Sequence, residues 1–440
     1  MRRREFFQSA LAGAMSMGAC RWFPAWAAEQ ADQGQPRRHC ILLWMSGGPT
    51  QTDTFDMKPK HANGGEFKEV ETSVPGMRFS EHLPKLAQQA DKLAIIRSLS
   101  TKEGDHGRGT FLMRTGHQPG GPIRYPAIGS SLSKELGFET ADLPNYVSIT
   151  PAVAFNPAAY SPGFLGPKYA AATVGAINNP QPQQPGADPE GFAELGVDYL
   201  SLPNGVEKSQ AAGRLELWNS LQSGFLTSRR SDVVNAQDTV YRRAVRVMNS
   251  SEVEAFDLTQ ETAKVREGYG RGRFGQGCLM ARRLIERGVS FVEVSLGFGD
   301  GVGWDTHQNN FPSVKTLSDQ LDAGWGTLMT ELQERGLLES TTILWMGEFG
   351  RTPTINGNAG RDHFPNAWTC VLAGGGIKGG SIHGATSEDG REVADGKVDV
   401  PDVLATLSRA VGVDPAHENI TSIGRPVKVA EGKPIQEILS

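Results

Sequence analysis

The stretch TTILWMGEFGRTPTINGNAGRDHFPNAW, residues 341–368, decides which fold the rest of the chain must complete. Its apolar start, residues 342–346, is short and rich in β-forming residues, which predicts a buried strand that ends at Gly347. A second apolar run begins at residue 368. The polar side chains between the two runs include Glu348, Arg351, Asp362 and His363. Because open α/β sheets carry their chemistry at the carboxyl edge, this spacing predicts a metal or anion site; the alternative is a polar loop with a helix cap and a solvated His.

Length and composition limit the classes of protein to consider. The chain has 440 residues, 38% of them hydrophobic, which predicts one large domain with insertions or two domains. The formal net charge is -5 and the mature chain has no basic block, which argues against nucleic acid as a partner. The mature chain also has no apolar stretch of the roughly 18 residues that a transmembrane segment needs.

Residues 1–28 have the features of an export signal. Residues 3–7, RREFF, resemble a twin-arginine signal, and a weakly apolar segment and small residues at 25–28 follow. We expect export by the twin-arginine route and a periplasmic or extracellular mature protein. The alternative is the basic start of a cytoplasmic enzyme. Cys20 lies in a poor lipoprotein motif, so we do not expect it to carry a lipid anchor.

Replacing Arg3 and Arg4 with Lys is expected to leave uncleaved precursor in the cytoplasm, because the arginine pair is the feature that marks a twin-arginine signal. Immunoblotting of cell fractions would measure this. Mature protein in the periplasm at the normal level would contradict the prediction.

Further apolar runs predict the other strands of the same sheet, at residues 40–45, 93–98, 143–149, 289–294 and 368–373. The run at 40–45 is almost purely apolar, as in a central parallel strand covered on both faces. A predicted helix at 314–335 has its apolar residues on one face, and it completes a βαβ unit with the strands before and after it. Other predicted helices lie at 214–226, 236–248, 275–287 and 400–411. We predict one domain over residues 38–440, with an insertion at about 151–270. Its first part, residues 151–210, is predicted to pass over the surface and to rim the site.

Candidate metal ligands follow several of these predicted strands. Hard carboxylates mixed with imidazoles suit zinc, manganese or magnesium better than a soft metal. We expect one or two divalent ions, zinc in the first place, with manganese, magnesium or calcium as alternatives. The candidate ligands are Asp53, Asp305, His307, Glu348, Asp362, His363 and His383.

A polar cluster at residues 105–110 opens another predicted helix, directly after the strand at 93–98. Unpaired backbone N–H groups and the helix dipole favour an anion at such a position. Two of its side chains, His106 and Arg108, are therefore candidates for the site. The alternative is a loop with a capping Asp.

The motifs together resemble the family called "domain of unknown function 1501", over essentially the whole mature chain. The matching stretches are residues 44–56, 255–258, 273–294, 303–307, 347–353 and 360–380. That family is similar to the alkaline phosphatase and sulfatase superfamily. The resemblance implies a three-layer αβα, alkaline-phosphatase-like α/β fold with a mostly parallel central sheet and a two-metal hydrolase site.

The resemblance also implies roles for individual residues. Asp305 and His307 match the Asp and His that one strand delivers to the metals. Glu348 takes the carboxylate place on the next strand, and His363 matches the His that opens the last strand. Asp53 is the nearest substitute for the metal-binding Asp of the first strand.

His106 stands where the superfamily places its nucleophile, and Thr110 is the nearest hydroxyl. We expect the His106 ring to lie within one water of Glu348, Asp305 or His363. Arg108 and Arg351 would hold the substrate anion.

The expected function is an exported metal-dependent hydrolase of phosphate or sulfate esters, acting on a small-molecule or polysaccharide ester. One alternative is a catalytically degenerate member that serves as an extracytoplasmic binding protein. Another is a different metal-dependent chemistry on the same scaffold, such as phosphoryl transfer within a substrate.

Overall fold

The structure is a computed structural model, and it describes residues 37–440 except 139, 176–190, 198–199, 201, 203–204, 229–231 and 298–302. Residues 38–440 form one compact unit. The predicted export signal, residues 1–28, lies outside the described residues.

An eight-stranded sheet forms the centre of this unit. Its strands are β1 (His39–Met45), β2 (Leu93–Leu99), β3 (Tyr146–Ile149), β4 (Ala172–Val174), β5 (Phe291–Leu296), β6 (Thr341–Met346), β7 (Trp368–Gly374) and β8 (Ser381–His383). The order across the sheet is β8-β2-β7-β6-β1-β5-β3-β4. All neighbours are parallel except β7, which runs antiparallel to both β2 and β6. Every strand predicted from an apolar run is present.

Helices cover both faces of the sheet. They are α1 (Pro84–Gln88), α2 (His106–Thr115), α3 (Ile128–Leu136), α4 (Lys208–Ser228), α5 (Asp232–Asn249), α6 (Ala263–Tyr269), α7 (Arg273–Glu286), α8 (Asn310–Glu334) and α9 (Val400–Ala410). Side chains of α1, α6, α7 and α8 pack in one core, and those of α2, α3 and α9 pack in a second core. Alternate residues of β1 enter the two cores, Leu43 the first and Trp44 the second. The predicted three-layer α/β architecture is confirmed, and the pure apolarity of β1 follows from its burial on both faces.

The segment predicted as an insertion contributes to the central sheet as well as to the surface. It supplies β4, a three-residue edge strand that pairs with β3, before the chain forms α4 and α5. A strand this short has no period that distinguishes it from a Pro- and Gly-rich loop. Within the described residues, none of the helices is both long and apolar enough to cross a lipid bilayer.

A two-stranded ribbon lies between β6 and β7 in the chain, and we call it the site ribbon. It pairs Gly350–Arg351 with His363–Phe364 in antiparallel register. Three further ribbons pair Glu69–Glu71 with Arg78–Ser80, Ala385–Thr386 with Val393–Asp395, and Glu418–Ile420 with Pro426–Lys428. The strand pairing in the site ribbon gives the polar loop of residues 347–363 an ordered backbone.

Candidate metal site

The polar side chains predicted at strand exits meet at one edge of the sheet. His106 is the first residue of α2, which follows β2, and Glu348 follows β6. Asp305 comes after β5, and His363 belongs to the site ribbon that precedes β7. Because β7 is antiparallel to its neighbours, the residues before it lie at the same edge as the residues that follow the parallel strands.

Three imidazole rings converge on one carboxylate oxygen, Oδ1 of Asp305. The Nε2 atoms of His307, His363 and His106 lie 3.1, 3.2 and 3.3 Å from it. The Nε2 atoms of His307 and His363 are themselves 3.0 Å apart. His106, Asp305 and His363 each present a ligand atom within 4.8 Å of the others, a grouping that could hold a metal ion.

The second nitrogen of each ring fixes which nitrogen carries the proton. In all three histidines Nδ1 faces an oxygen that acts as an acceptor, so Nδ1–H donates. The acceptors are Glu348 Oε1 at 2.6 Å from His106, Asp362 Oδ1 at 2.8 Å from His307, and the Gly104 carbonyl at 2.7 Å from His363. With Nδ1–H donating in each ring, Nε2 is the nitrogen that can bind a cation beside the carboxylate.

The local charges are consistent with a cation-binding site. Burial disfavours the charged form of His106, but the carboxylates of Asp305 and Glu348 outweigh it and raise the pKa of His106 to about 9. Burial would raise the pKa of Asp305, yet His106, His363 and Arg351 together hold that pKa far below its usual range. Asp305 is therefore an anion throughout the physiological range and is suited to a divalent ion.

Glu348 positions His106 from the far side of the ring. Its side chain is fully buried, and Oε1 also accepts a hydrogen bond of 2.9 Å from the backbone N–H of Gly47. The His106 ring is stacked on Phe155 with centroids 4.2 Å apart and packs against Phe349 at 4.9 Å. These contacts place Glu348 behind a candidate ligand, the arrangement that orients metal-binding histidines.

The model of a family described as a protein of unknown function, DUF1501, matches residues 37–439. The chain belongs to the DUF1501 family. The resemblance drawn from the sequence motifs is thereby confirmed. No curated protein matches the sequence.

Solved structures similar to this DUF1501 protein include the lipoteichoic acid synthase LtaP from Listeria monocytogenes, the PsFucS1 sulfatase from Pseudoalteromonas sp., and a protein in the alkaline phosphatase superfamily from Vibrio parahaemolyticus. Their sequence identities to this chain are 8%, 13% and 11%, and the TM-scores are 0.40, 0.39 and 0.39. The matches cover 91%, 88% and 92% of this chain and 76%, 70% and 71% of the other chains.

The expected proximity of His106 is observed in the DUF1501 chain, since its ring contacts both Glu348 and Asp305 directly. His307 and Asp362, two other candidates, form a pair at the rim of the cluster with exposed fractions of 45% and 54%. Thr110, the nearest hydroxyl to the nucleophile position, is fully buried in α2. The structure therefore brings imidazoles and carboxylates, rather than a solvent-accessible hydroxyl, to this edge of the sheet.

Arg351 differs from the expected anion-binding role. Its guanidinium is completely buried and donates to the backbone carbonyls of Gly47, Gly48 and Arg361. It also lies 2.5 Å from Asp305 Oδ1. With these partners engaged, Arg351 orients the Asp305 carboxylate and the Gly-Gly turn after β1 instead of presenting donors to a substrate.

Arg108 lies at the surface. Its side chain is 59% exposed and pairs with Glu103 at 2.7 Å. The backbone N–H of Arg108 donates to the capping carboxylate of Asp105, so this helix start is already capped. The capping loop considered in the sequence is thus present, and it carries His106 into the cluster at the same time.

Asp53 lies outside the cluster and has a different partner from the predicted metal. It is fully buried and forms a two-pronged pair with Arg361, with both contacts at 2.7 Å. Thr50 and Asn310 donate two more hydrogen bonds to it, at 2.9 and 2.8 Å. The short helix Gln51–Asp53 directs the carboxylate towards Arg361, and these donors take up its oxygens.

His383 is likewise placed elsewhere, on the edge strand β8. Its Nδ1 is 2.6 Å from Glu437 Oε2, and its Nε2 is 3.1 Å from the Gly396 carbonyl. Both ring nitrogens are occupied by these contacts. Because β8 is three residues long, sequence periodicity does not reveal that His383 sits at a sheet edge.

Several residues that shape the site were not among the candidates. Arg361 neutralises Asp53, the Gly104 carbonyl fixes the His363 tautomer, and Phe155 stacks on His106. Arg361 adjoins two candidates in the sequence, which is a signal that could have found it. Phe155 falls in the segment predicted to rim the site, and its stacking on His106 brings one residue of that segment to the cluster.

Proposed function

We propose that this DUF1501 protein is an exported, divalent-metal-dependent hydrolase of phosphate or sulfate esters. The observation that carries the proposal is the convergence of three imidazole nitrogens on Asp305 Oδ1 at the carboxyl edge of the sheet. His106, Asp305 and His363 would hold the ion, because Nδ1 of each histidine is hydrogen-bonded to another residue and Arg351 orients the Asp305 carboxylate. Mixed nitrogen and oxygen donors of this kind suit zinc first and manganese or magnesium next.

A bound divalent ion would supply Lewis acidity towards the ester oxygens and would favour deprotonation of water. The chain itself supplies orientation. Arg351 holds Asp305, and Glu348 holds His106. Both side chains therefore have a fixed orientation before an ion binds. Preorganisation of this kind lowers the reorganisation that binding and reaction require.

The His307–Asp362 pair is suited to act as a general base. His307 is partly exposed, its Nε2 faces the cluster, and its Nδ1–H donates to Asp362 at 2.8 Å. This hydrogen bond holds the pKa of Asp362 below its ordinary value, so the carboxylate stays charged and can stabilise an imidazolium. In the proposed reaction, the water oxygen forms the new bond to phosphorus or sulfur while the bond to the ester oxygen breaks. One water proton passes to His307 Nε2, and the leaving oxygen takes a proton from solvent.

Direct attack by water fits these residues better than a covalent intermediate. His106, at the position of the superfamily nucleophile, has Nδ1 against Glu348 and Nε2 directed at Asp305. With Nε2 on the ion and Nδ1–H donating to Glu348, His106 would have no free nitrogen with which to attack. Thr110 is fully buried and does not offer a solvent-accessible hydroxyl instead.

The test is metal content and turnover on purified protein of residues 38–440. We expect about one bound divalent ion per chain, and hydrolysis of aryl phosphates or aryl sulfates that a chelator abolishes and zinc or manganese restores. Elemental analysis and release of the chromophoric phenol would measure the two quantities. Protein that holds its ion stoichiometrically but turns over neither class of ester would overturn the hydrolase and favour the extracytoplasmic binding protein.

A further inference from the structure

The proposed general-base pair, His307 and Asp362, lies at the rim of the cluster with both side chains about half exposed. Ion pairs between exposed side chains are weak, so this pair does not fix its own geometry. Thr352 holds the main chain of Asp362 through two hydrogen bonds, of 2.9 and 2.8 Å, but these do not reach the carboxylate. Another contact must therefore keep the carboxylate beside the imidazole.

Asn356 makes that contact. Its amide nitrogen, Nδ2, donates to Asp362 Oδ1 at 3.2 Å and to the backbone carbonyl of His307 at 3.0 Å. Asp362 Oδ1 is also the oxygen that accepts from His307 Nδ1 at 2.8 Å. One amide therefore joins the carboxylate of the pair to the main chain of its histidine, and the three residues form a closed ring of hydrogen bonds.

The other end of the Asn356 amide is fixed as well. Its Oδ1 accepts from the backbone N–H groups of Asn358 and Gly360, both at 2.9 Å. A carboxamide has two N–H donors and two acceptor lone pairs, and all four are used here. Exchanging its oxygen and nitrogen would turn the amino group towards two donors and the oxygen towards a carboxylate. The network therefore allows a single orientation of this side chain.

The turn that carries Asn356 is fastened to the loop that carries His307. Gly360 lies so close to this loop that a Cβ atom there would be 2.0 Å from the His307 carbonyl oxygen, so only glycine fits. Backbone contacts alone thus bring the amide to the pair. Three N–H groups bridge the two segments, donating from Asn309 to Asn358 at 3.2 Å, from Asn310 to Ala359 at 2.9 Å, and from Arg361 to Thr306 at 2.9 Å.

We propose that Asn356 is the positioning residue of the His307–Asp362 pair. The inference rests on the proposed function and adds a residue to its proton-transfer step. The four hydrogen bonds of the Asn356 amide go to the pair and to its own turn, and the candidate metal ligands are held by other residues. A misplacement of about 1 Å can slow a reaction by about 100-fold. Asn356 therefore acts on the rate of proton transfer and leaves ion binding unchanged.

The experiment compares Asn356→Asp with wild-type protein of residues 38–440. Aspartate keeps the oxygen that accepts from the turn, and it replaces the donor by an oxygen that repels Asp362 Oδ1 and the His307 carbonyl. We expect kcat for an aryl ester to fall about ten-fold or more, with KM and metal content unchanged. The matched control is Asn358→Ala, which should behave as wild type, because this exposed residue serves the turn through its backbone.

Combination with His307→Ala distinguishes positioning from a general loss of structure. A residue that acts through His307 has nothing left to position once the imidazole is removed. We therefore expect His307→Ala/Asn356→Asp to hydrolyse the ester as slowly as His307→Ala alone. A clear further loss in the double variant would show that Asn356 acts elsewhere, and it would overturn the inference.

The tautomer of His307 gives a readout that needs no turnover. NMR shifts of its imidazole nitrogens, recorded with the ring neutral and assigned by their absence in His307→Ala, should show Nδ1–H in wild type and in Asn358→Ala. We expect a mixture of tautomers in Asn356→Asp, and also in Asn356→Ala, which removes the donor without adding a charge.

An unchanged His307 tautomer in either Asn356 variant, or an unchanged kcat despite a changed tautomer, would overturn the inference. A changed tautomer in a protein whose wild type hydrolyses no ester would support the positioning and overturn the hydrolase. The failure of the positioning role and the failure of the proposed function are thus distinguishable.

Discussion

An Asp305→Asn variant is expected to lose its divalent ion and, with it, ester hydrolysis. Asp305 Oδ1 lies within 3.3 Å of three imidazole nitrogens and supplies the negative charge of the grouping that could hold a metal. Loss of a partner that merely orients a ligand weakens metal binding by about 10–100-fold. For the ligand itself we expect a loss of more than about 100-fold, measured by zinc competition against a chromophoric chelator.

Two controls separate loss of the ion from loss of the fold. Asparagine keeps an oxygen that can accept from Arg351 but removes the charge that pairs with this buried guanidinium, so chelator-treated Asp305→Asn should stay folded and melt below chelator-treated wild type. His307→Ala removes a neighbouring imidazole and is expected to keep the ion while slowing hydrolysis by about 10²–10⁴-fold, the usual contribution of a general base. An Asp305→Asn protein with unchanged zinc affinity would rule out the assigned ligand set.

An Asp53→Ala variant is expected to lose about 3–5 kcal/mol of unfolding free energy, because it strands Arg361 as an unpaired charge in the interior. Both side chains of the pair are completely buried. Thr50 and Asn310, which donate to Asp53, would lose an acceptor as well. Urea denaturation of chelator-treated and metal-loaded protein would measure the loss, which should be of similar size in both forms.

This result separates the buried ion pair from the metal ligand that the motif resemblance implies for Asp53. A ligand would lower metal stoichiometry and would matter little in chelator-treated protein. Asp319→Ala is a suitable control, because Asp319 pairs with Lys315 at the surface of α8 and such pairs contribute about 0–1 kcal/mol. An Asp53→Ala protein of normal stability that cannot bind zinc would refute the assignment.

The longer strands and helices follow from local pattern, and the structure confirms them. β1 and β6 are unbroken apolar runs because both of their faces are buried, and α8 carries its apolar stripe because one side of it packs on the sheet. β4, β8 and the site ribbon consist of two or three residues per strand. Segments of that length become strands because neighbouring strands pair with them, and they have no periodic pattern of their own.

In the candidate site, too, one part follows from the local sequence and another part follows only from the tertiary structure. A polar residue directly after a buried parallel strand must emerge at the carboxyl edge, so strand position alone brought Glu348 there, while Asp305 follows β5 after a longer loop. Partner choice has no such local rule. Asp53 pairs with Arg361 across 308 positions of sequence, and Arg351 reaches the Gly47 carbonyl across 304.

Those pairings depend on the order of strands in the sheet, which places β1 between β6 and β5 and sets β7 antiparallel beside β6. The local sequence therefore specifies which polar groups reach the edge of the sheet. The assembled sheet specifies which of them are neutralised by a buried arginine and which are left facing one another. The physical reason is that burial and charge pairing act between groups that meet in space, and a run of residues carries only its own hydrophobicity and backbone preference.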